Sequence, residues 1–147
     1  MAEAGPGAVA LIETPDSFVL EGRPDFSGAL AYAGKVQFFG GHIDPLEEPR
    51  DAIRRELREE LNWEPAEPPT QIWEGCYDNS RNRHGERVTR HVTLFRATVD
   101  SIAELNMQVP GYLIELPKTR EAIEEYKANL TEFTYKALRR AVGLDGE

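Results

Sequence analysis

From residue 49 to residue 61 the apolar side chains fall at Ile53, Leu57 and Leu61, four apart, with Ala52 beside the first. The positions between them are charged. That spacing predicts a helix with one buried stripe, and Pro49 suits its first turn. Elsewhere the pattern is that of short strands. Ala8 to Glu13 and Ser17 to Glu21 are β-type runs split by Thr14-Pro15-Asp16, which predicts a hairpin. Lys35 to Phe39 reads as a strand that delivers the chain to Gly40-Gly41, and paired glycines let backbone approach a ligand closely. Gln71 to Tyr77 is a further strand. Val88 to Val99 is a longer one whose apolar residues occupy both parities, the mark of a central strand covered on both faces. Tyr112 to Leu116 is the last strand, and Thr119 to Lys127 and Thr131 to Val142 read as helices, the second ended by Gly143. Strands before and after one glycine-led helix, followed by terminal helices, predict an α/β fold: an α/β/α sandwich with a mixed sheet, formed as a single domain over residues 1–147.

The polar side of the first helix carries the candidate chemistry. At about 100° per residue, Glu56, Glu59 and Glu60 share an arc of roughly 100° beside the apolar stripe. Like charges three and four residues apart repel, more so beside a buried face. A divalent, oxygen-preferring cation such as Mg²⁺ relieves that repulsion, keeping several waters and meeting substrate phosphates.

The stretch Gly41-x5-Glu47-x7-Arg55-Glu56-Leu57-x-Glu59-Glu60-x-Asn62-Trp63 resembles the box of the Nudix hydrolases, G-x5-E-x7-R-E-U-x-E-E-x-G-U with U apolar. Asn62 is the single departure, standing where the family has glycine. The position reads as a helix end needing a left-handed residue, where Asn is the usual second choice. The resemblance implies divalent-metal-dependent hydrolysis of a phosphoanhydride bond in a nucleoside diphosphate linked to another moiety: a sugar nucleotide, a nucleoside triphosphate or a dinucleotide. It implies Mg²⁺ or Mn²⁺ held by Glu56, Glu59, Glu60, Glu47 and the Gly40 carbonyl. Arg55 is expected to orient Glu59.

Many family members carry a further glutamate before the last strand, where this chain has Gln108-Val109-Pro110-Gly111. An amide accepts no proton at neutral pH, so Glu56 is expected to act as the general base, with Glu104 as the other candidate. The missing glutamate also keeps open a second class, a Nudix-fold module that binds or senses a nucleotide without turning it over. The family's downstream substrate markers, about fifteen to eighteen residues past the box, find Asp78, Asn79 and Ser80 here, so the nucleotide is not specified.

At 147 residues, with 40% hydrophobic and 29% charged residues, the chain suits one globular domain. A formal charge of −9 argues against a nucleic-acid polymer as partner. A polyanionic nucleotide remains compatible if it arrives with its metal and meets local arginines. Arg23 stands in a loop-like stretch from Gly22 to Ala33, and Arg81, Arg83, Arg87, Arg90 and His91 cluster on and beside the polar connector 78–87. Arg23, Arg81, Arg83 and Arg90 are candidate substrate contacts, with a solvated hairpin tip as the alternative for the cluster. Trp73 and Tyr77 either stack on a base or belong to the core. With Cys76 alone no internal disulfide forms, no run of residues suits a membrane span, and a cytoplasmic location is expected, with a homodimer left open.

Overall fold

The computed structural model describes residues 2–3, 5–23, 35–81 and 86–143, with only the backbone of residues 2–3 and 78–81. After a short β1 (Ala2–Glu3), β2 (Gly7–Glu13) and β3 (Ser17–Gly22) form the expected hairpin. Thr14 makes the turn: its Oγ1 accepts from the Ser17 N–H at 3.0 Å, and its own N–H donates to the Ser17 carbonyl at 2.9 Å.

The single strand expected at Lys35 to Phe39 is instead two pieces, β4 (Val36–Gln37) and β5 (Phe39–His42). The chain changes partner at Phe38, because β4 pairs with β3 whereas β5 pairs with β2. Phe38 and Phe39 consequently point into opposite cores. Gly40 and Gly41 lie inside β5, opposite Val9 and Ala8, rather than in a loop.

Helix α1 (Pro49–Leu61) begins at the proline expected in its first turn, and Asn62 beyond it is left-handed at φ 49°. Ile53, Leu57 and Leu61 are wholly buried, worth about 1.5–3 kcal/mol each relative to exposure. β6 (Thr70–Arg81) and β7 (Arg87–Thr98) make a long hairpin that runs further into the polar stretch than the sequence indicates. β8 (Tyr112–Pro117) is followed by α2 (Arg120–Tyr126) and α3 (Glu132–Ala141), whose first turns are capped by the Thr119 and Thr131 hydroxyls.

The sheet is mixed. β7 lies between β6 on one side and β1 and β2 on the other, parallel to the latter two. Val92, Thr93, Leu94 and Phe95 are all buried, as a strand covered on both faces requires. On its far edge β2 is shared: β5 takes Gly7 to Ala10, and β3 takes Ile12 and Glu13. The sheet forks there, and β3 leads away to β4 and β8. On one face α1 closes a core of Ala10, Ile12, Val19, Phe39, Phe95 and Trp63; on the other, α2 and α3 cover Leu11, Phe18, Leu20, Phe38 and Leu94. The fork is what brings the glycines of β5 under α1.

Candidate active site

Gly40 has φ +143°, and a Cβ there would stand 2.2 Å from the Ala8 carbonyl oxygen, so only glycine fits. Its N–H donates to Glu60 Oε1 at 2.9 Å. A Cβ on Gly41 would stand 2.7–2.9 Å from the Glu56 carboxylate. Gly41 therefore leaves room for Glu56, and the Gly40 N–H holds Glu60, so that two acids of α1 come down onto the backbone of β5.

Arg55 neutralises the outer part of this face. Its Nε and Nη2 grip both oxygens of Glu47 at 2.9 and 3.0 Å. Nη1 reaches Glu56 Oε1 at 3.0 Å and Glu59 at 3.3 Å, and Nη2 donates to the His42 carbonyl at 2.9 Å. The Asp44 N–H also donates to Glu47, at 2.9 Å. This shared grip holds Glu47 low, at about 2, and Arg55 far above the usual arginine range.

Deeper in, burial outweighs the nearby arginines. Burial pushes Glu60 up to about 8, and the charges of Glu21 and Glu56 push the same way, against the Gly40 N–H and the charge of Arg23. Burial also raises Glu56, against Arg55. Glu21, on β3, is only 2% exposed and is raised by burial as well. Among the described residues no three His, Cys, Asp or Glu side chains already converge as an ion site. The raised acids and the all-oxygen donors nevertheless fit a hard divalent cation.

The NUDIX domain family model matches residues 4–141. The chain belongs to the Nudix family. Its fold is similar to the MutT protein of Methanosarcina mazei Go1, at 16% identity and TM-score 0.70 with 97% of each chain covered. It is also similar to the MutT NUDIX hydrolase of Burkholderia pseudomallei, at 24% identity and TM-score 0.68, covering 92% of this chain and 95% of that one. A third match is the bifunctional NMN adenylyltransferase/ADP ribose pyrophosphatase of Francisella tularensis, complexed with AMP and a Mn ion. There identity is 21% and TM-score 0.66, covering 97% of this chain but 43% of the other. Among curated protein sequences none matches.

Around the Nudix box the remaining candidates separate. Arg90 sits beside it: its Nη1 lies 3.8 Å from where a Cβ on Gly7 would stand, opposite His42, and its charge helps burial to lower His42. Arg90 Nε is buried with no hydrogen-bond partner among the described residues. Arg23 Nε lies 3.5 Å from Glu21 Oε1. Arg83 and the side chain of Arg81 lie outside the described residues.

The loop before β8 is docked on the end of α1, where the Asn106 and Gln108 N–H groups donate to the Leu61 and Glu60 carbonyls at 3.0 and 2.8 Å. Glu104 is exposed, and among the described residues no hydrogen bond or ion pair ties it to the box. Trp73 and Tyr77 pack on Phe133 of α3, 5.6 and 5.3 Å between ring centroids, on the sheet face opposite α1. Glu21 is the residue the sequence reading missed. The available signal was its parity: in a strand buried on both faces, it follows Val19 towards the α1 core, where an apolar side chain is expected.

Proposed function

We propose that this Nudix protein is a divalent-metal-dependent pyrophosphohydrolase that cleaves a phosphoanhydride bond in a nucleoside diphosphate linked to another group. The observation that carries the reading is the pair Glu56 and Glu60, held against Gly40 and Gly41 with their proton affinities raised. Glu59 and Glu60, with the Gly40 carbonyl, would hold Mg²⁺ or Mn²⁺. Bound there, the cation would supply positive charge to the bridging phosphates and to the charge that develops on them. Water attacks one phosphorus, the bridging P–O bond breaks, and each product keeps a phosphate. Glu56 receives the proton of the attacking water: it is partly buried, and Arg55 Nη1 fixes one of its oxygens at 3.0 Å. Arg55 ties Glu47, Glu56 and Glu59 into one array, and Glu47 acts through that array. Arg23 and Arg90 face phosphate, with the buried Arg90 Nε available to donate.

The Mn ion and AMP of the Francisella enzyme support a nucleotide and a divalent metal here. ADP-ribose is the first substrate to test. Exposed Cys76, left unpaired, suits a reducing compartment such as the cytoplasm, and no described helix is long and apolar enough to cross a membrane. The test is a phosphate-release screen over ADP-ribose and other sugar nucleotides, oxidised nucleoside triphosphates and dinucleotides, with Mg²⁺, with Mn²⁺ and with chelator, comparing wild type and Glu59→Gln. Metal-dependent release lost in the variant supports the reading. Tight nucleotide binding with no release from any class replaces it with the binding-module reading.

A further inference from the structure

β6 is an edge strand: among the described residues it pairs only with β7, so the backbone groups along its other side have no strand partner. Its register with β7 shifts at Ile72 and again after Tyr77. Between those points the run Trp73 to Tyr77 pairs regularly and holds neither proline nor lysine, the usual guards of an open edge. An edge left in this state is a template for another strand.

Beside that edge lies a groove. On the sheet face away from α1, between β6 and α3, a cavity of about 290 Å³ is lined by Trp73, Tyr77, Leu94 and Phe133, together with Ile72, which is 45% exposed. Gly75 gives the Trp73 ring its place, since a Cβ there would stand 2.8 Å from the indole. The volume is at the small end for ligand pockets, about 300–1,000 Å³, and suits one large apolar side chain better than a whole nucleotide. α3 adds Lys136 and Arg140 to the lining, and no acid joins them, in a chain of formal charge −9. Lys136 also reaches Glu132 at 3.0 Å, an exposed pair of little worth, and Arg140 lies 6.0 Å over the Trp73 ring. The two cations are one helical turn apart, about 6 Å, close to the i, i+2 repeat of a strand at about 6.8 Å.

We propose that the β6 edge and the α3 groove bind an extended acidic peptide segment of a partner protein. Its backbone adds a strand to β6, one aromatic or aliphatic side chain enters the cavity, and two alternate carboxylates meet Lys136 and Arg140. Backbone pairing supplies affinity, and the pocket and its cations supply selectivity. The surface lies across the sheet from the Nudix box and is independent of the hydrolase reading.

Fluorescein-labelled heptapeptides of the pattern Thr-X-Thr-Glu-Thr-Glu-Thr, with X as Phe, Leu, Ile or Trp, test it by fluorescence anisotropy. At least one is expected to bind wild type with Kd below about 1 mM, and at least tenfold more weakly with Gln in place of both Glu. Two further forms are N-methylated at alternate residues along one edge or the other, which deletes backbone donors and keeps the side chains; one of them should lose at least tenfold. Amide hydrogen exchange of Trp73 to Tyr77 should slow on binding. Ala137→Glu, which puts an acid into the cavity wall, should abolish binding. If that variant fails to fold, Lys136→Glu takes its place, with at least a tenfold loss expected. No binding by any of the four peptides below about 1 mM overturns the proposal, as does equal binding by the variant. Binding that tolerates both N-methylated forms and leaves β6 exchange unchanged overturns strand addition and makes the cavity a site for a small aromatic acid. A wild type that light scattering shows to be dimeric, with Ala137→Glu monomeric, gives the face to a second copy of this chain and overturns the peptide assignment.

Discussion

Arg55 and Glu47 meet fork to fork, Nε on Oε2 and Nη2 on Oε1, across the turn that carries the chain from β5 into α1. The planar guanidinium is what makes this possible, because an ammonium cannot present two parallel donors. Arg55→Lys is therefore expected to fold but to release Glu47, whose carboxyl should titrate near 2 in wild type and close to the ordinary glutamate range in the variant. Carbon-detected NMR of the Glu47 side chain checks this, and kcat should fall at least tenfold as Glu56 and Glu59 lose their common partner. An unchanged titration would mean that another group grips Glu47.

Glu60 predicts how metal-free stability depends on pH. A buried acid raised to about 8 binds its proton more tightly folded than unfolded. Its destabilising effect is absent below the unfolded value near 4.5, grows as pH rises, and is complete above about 8. Between pH 5 and 8, wild type should lose stability relative to Glu60→Gln, by an order of a few kcal/mol, and saturating Mg²⁺ should remove most of that loss. Urea unfolding of both proteins across this range measures it. A wild-type curve that runs parallel to the variant's contradicts the burial of this charge.

The assignment of the base to Glu56 separates two variants. At saturating Mg²⁺, Glu56→Gln should lower kcat by roughly 10²–10⁴-fold with little change in nucleotide affinity. Glu104→Gln, altering an exposed side chain, should stay within about tenfold of wild type. The reverse order would place the base on the loop.

Leu46 is strained by the turn it occupies. The Glu47 N–H donates to the Asp44 carbonyl at 3.0 Å, closing a four-residue turn with Pro45 second and Leu46 third at φ 68°. Such a turn asks for glycine at the third place, and the leucine side chain is fully exposed. Leu46→Gly should raise stability by about 0.5–1 kcal/mol, strain relief of about 1–2 kcal/mol being partly offset by the flexibility of glycine in the unfolded chain. Chemical denaturation decides it; a loss of stability would show that the exposed side chain has a contact of its own.

The parts of the molecule that depend on local spacing were legible in the sequence. The four-residue rhythm of Ile53, Leu57 and Leu61 marked α1 and its buried stripe, and the left-handed Asn62 followed from the chemistry of a helix end. What depends on chain reversal was not legible. Arg55 reaches Glu47 and the His42 carbonyl only because residues 42–48 fold back over the helix start, a path no periodicity encodes. The run Val36-Gln37-Phe38-Phe39 shows no break where the strand changes partner. Glu21 lies far from the box in sequence, and its parity acquires meaning only once α1 is known to cover that face.

The centre of the sheet is a parallel pair, β2 with β7, in which Gly7 lies opposite Val92 and Glu13 opposite Thr98. Partners some 85 residues apart must find each other before that pair exists, so the chain has a high contact order and should fold slowly for its size. During synthesis the glycine strand and the acidic helix leave the ribosome well before β7 does. Until residue 98 emerges, the nascent chain carries an acidic helix over a sheet with an unpaired apolar edge, the interval in which it is most exposed to aggregation and most dependent on chaperones.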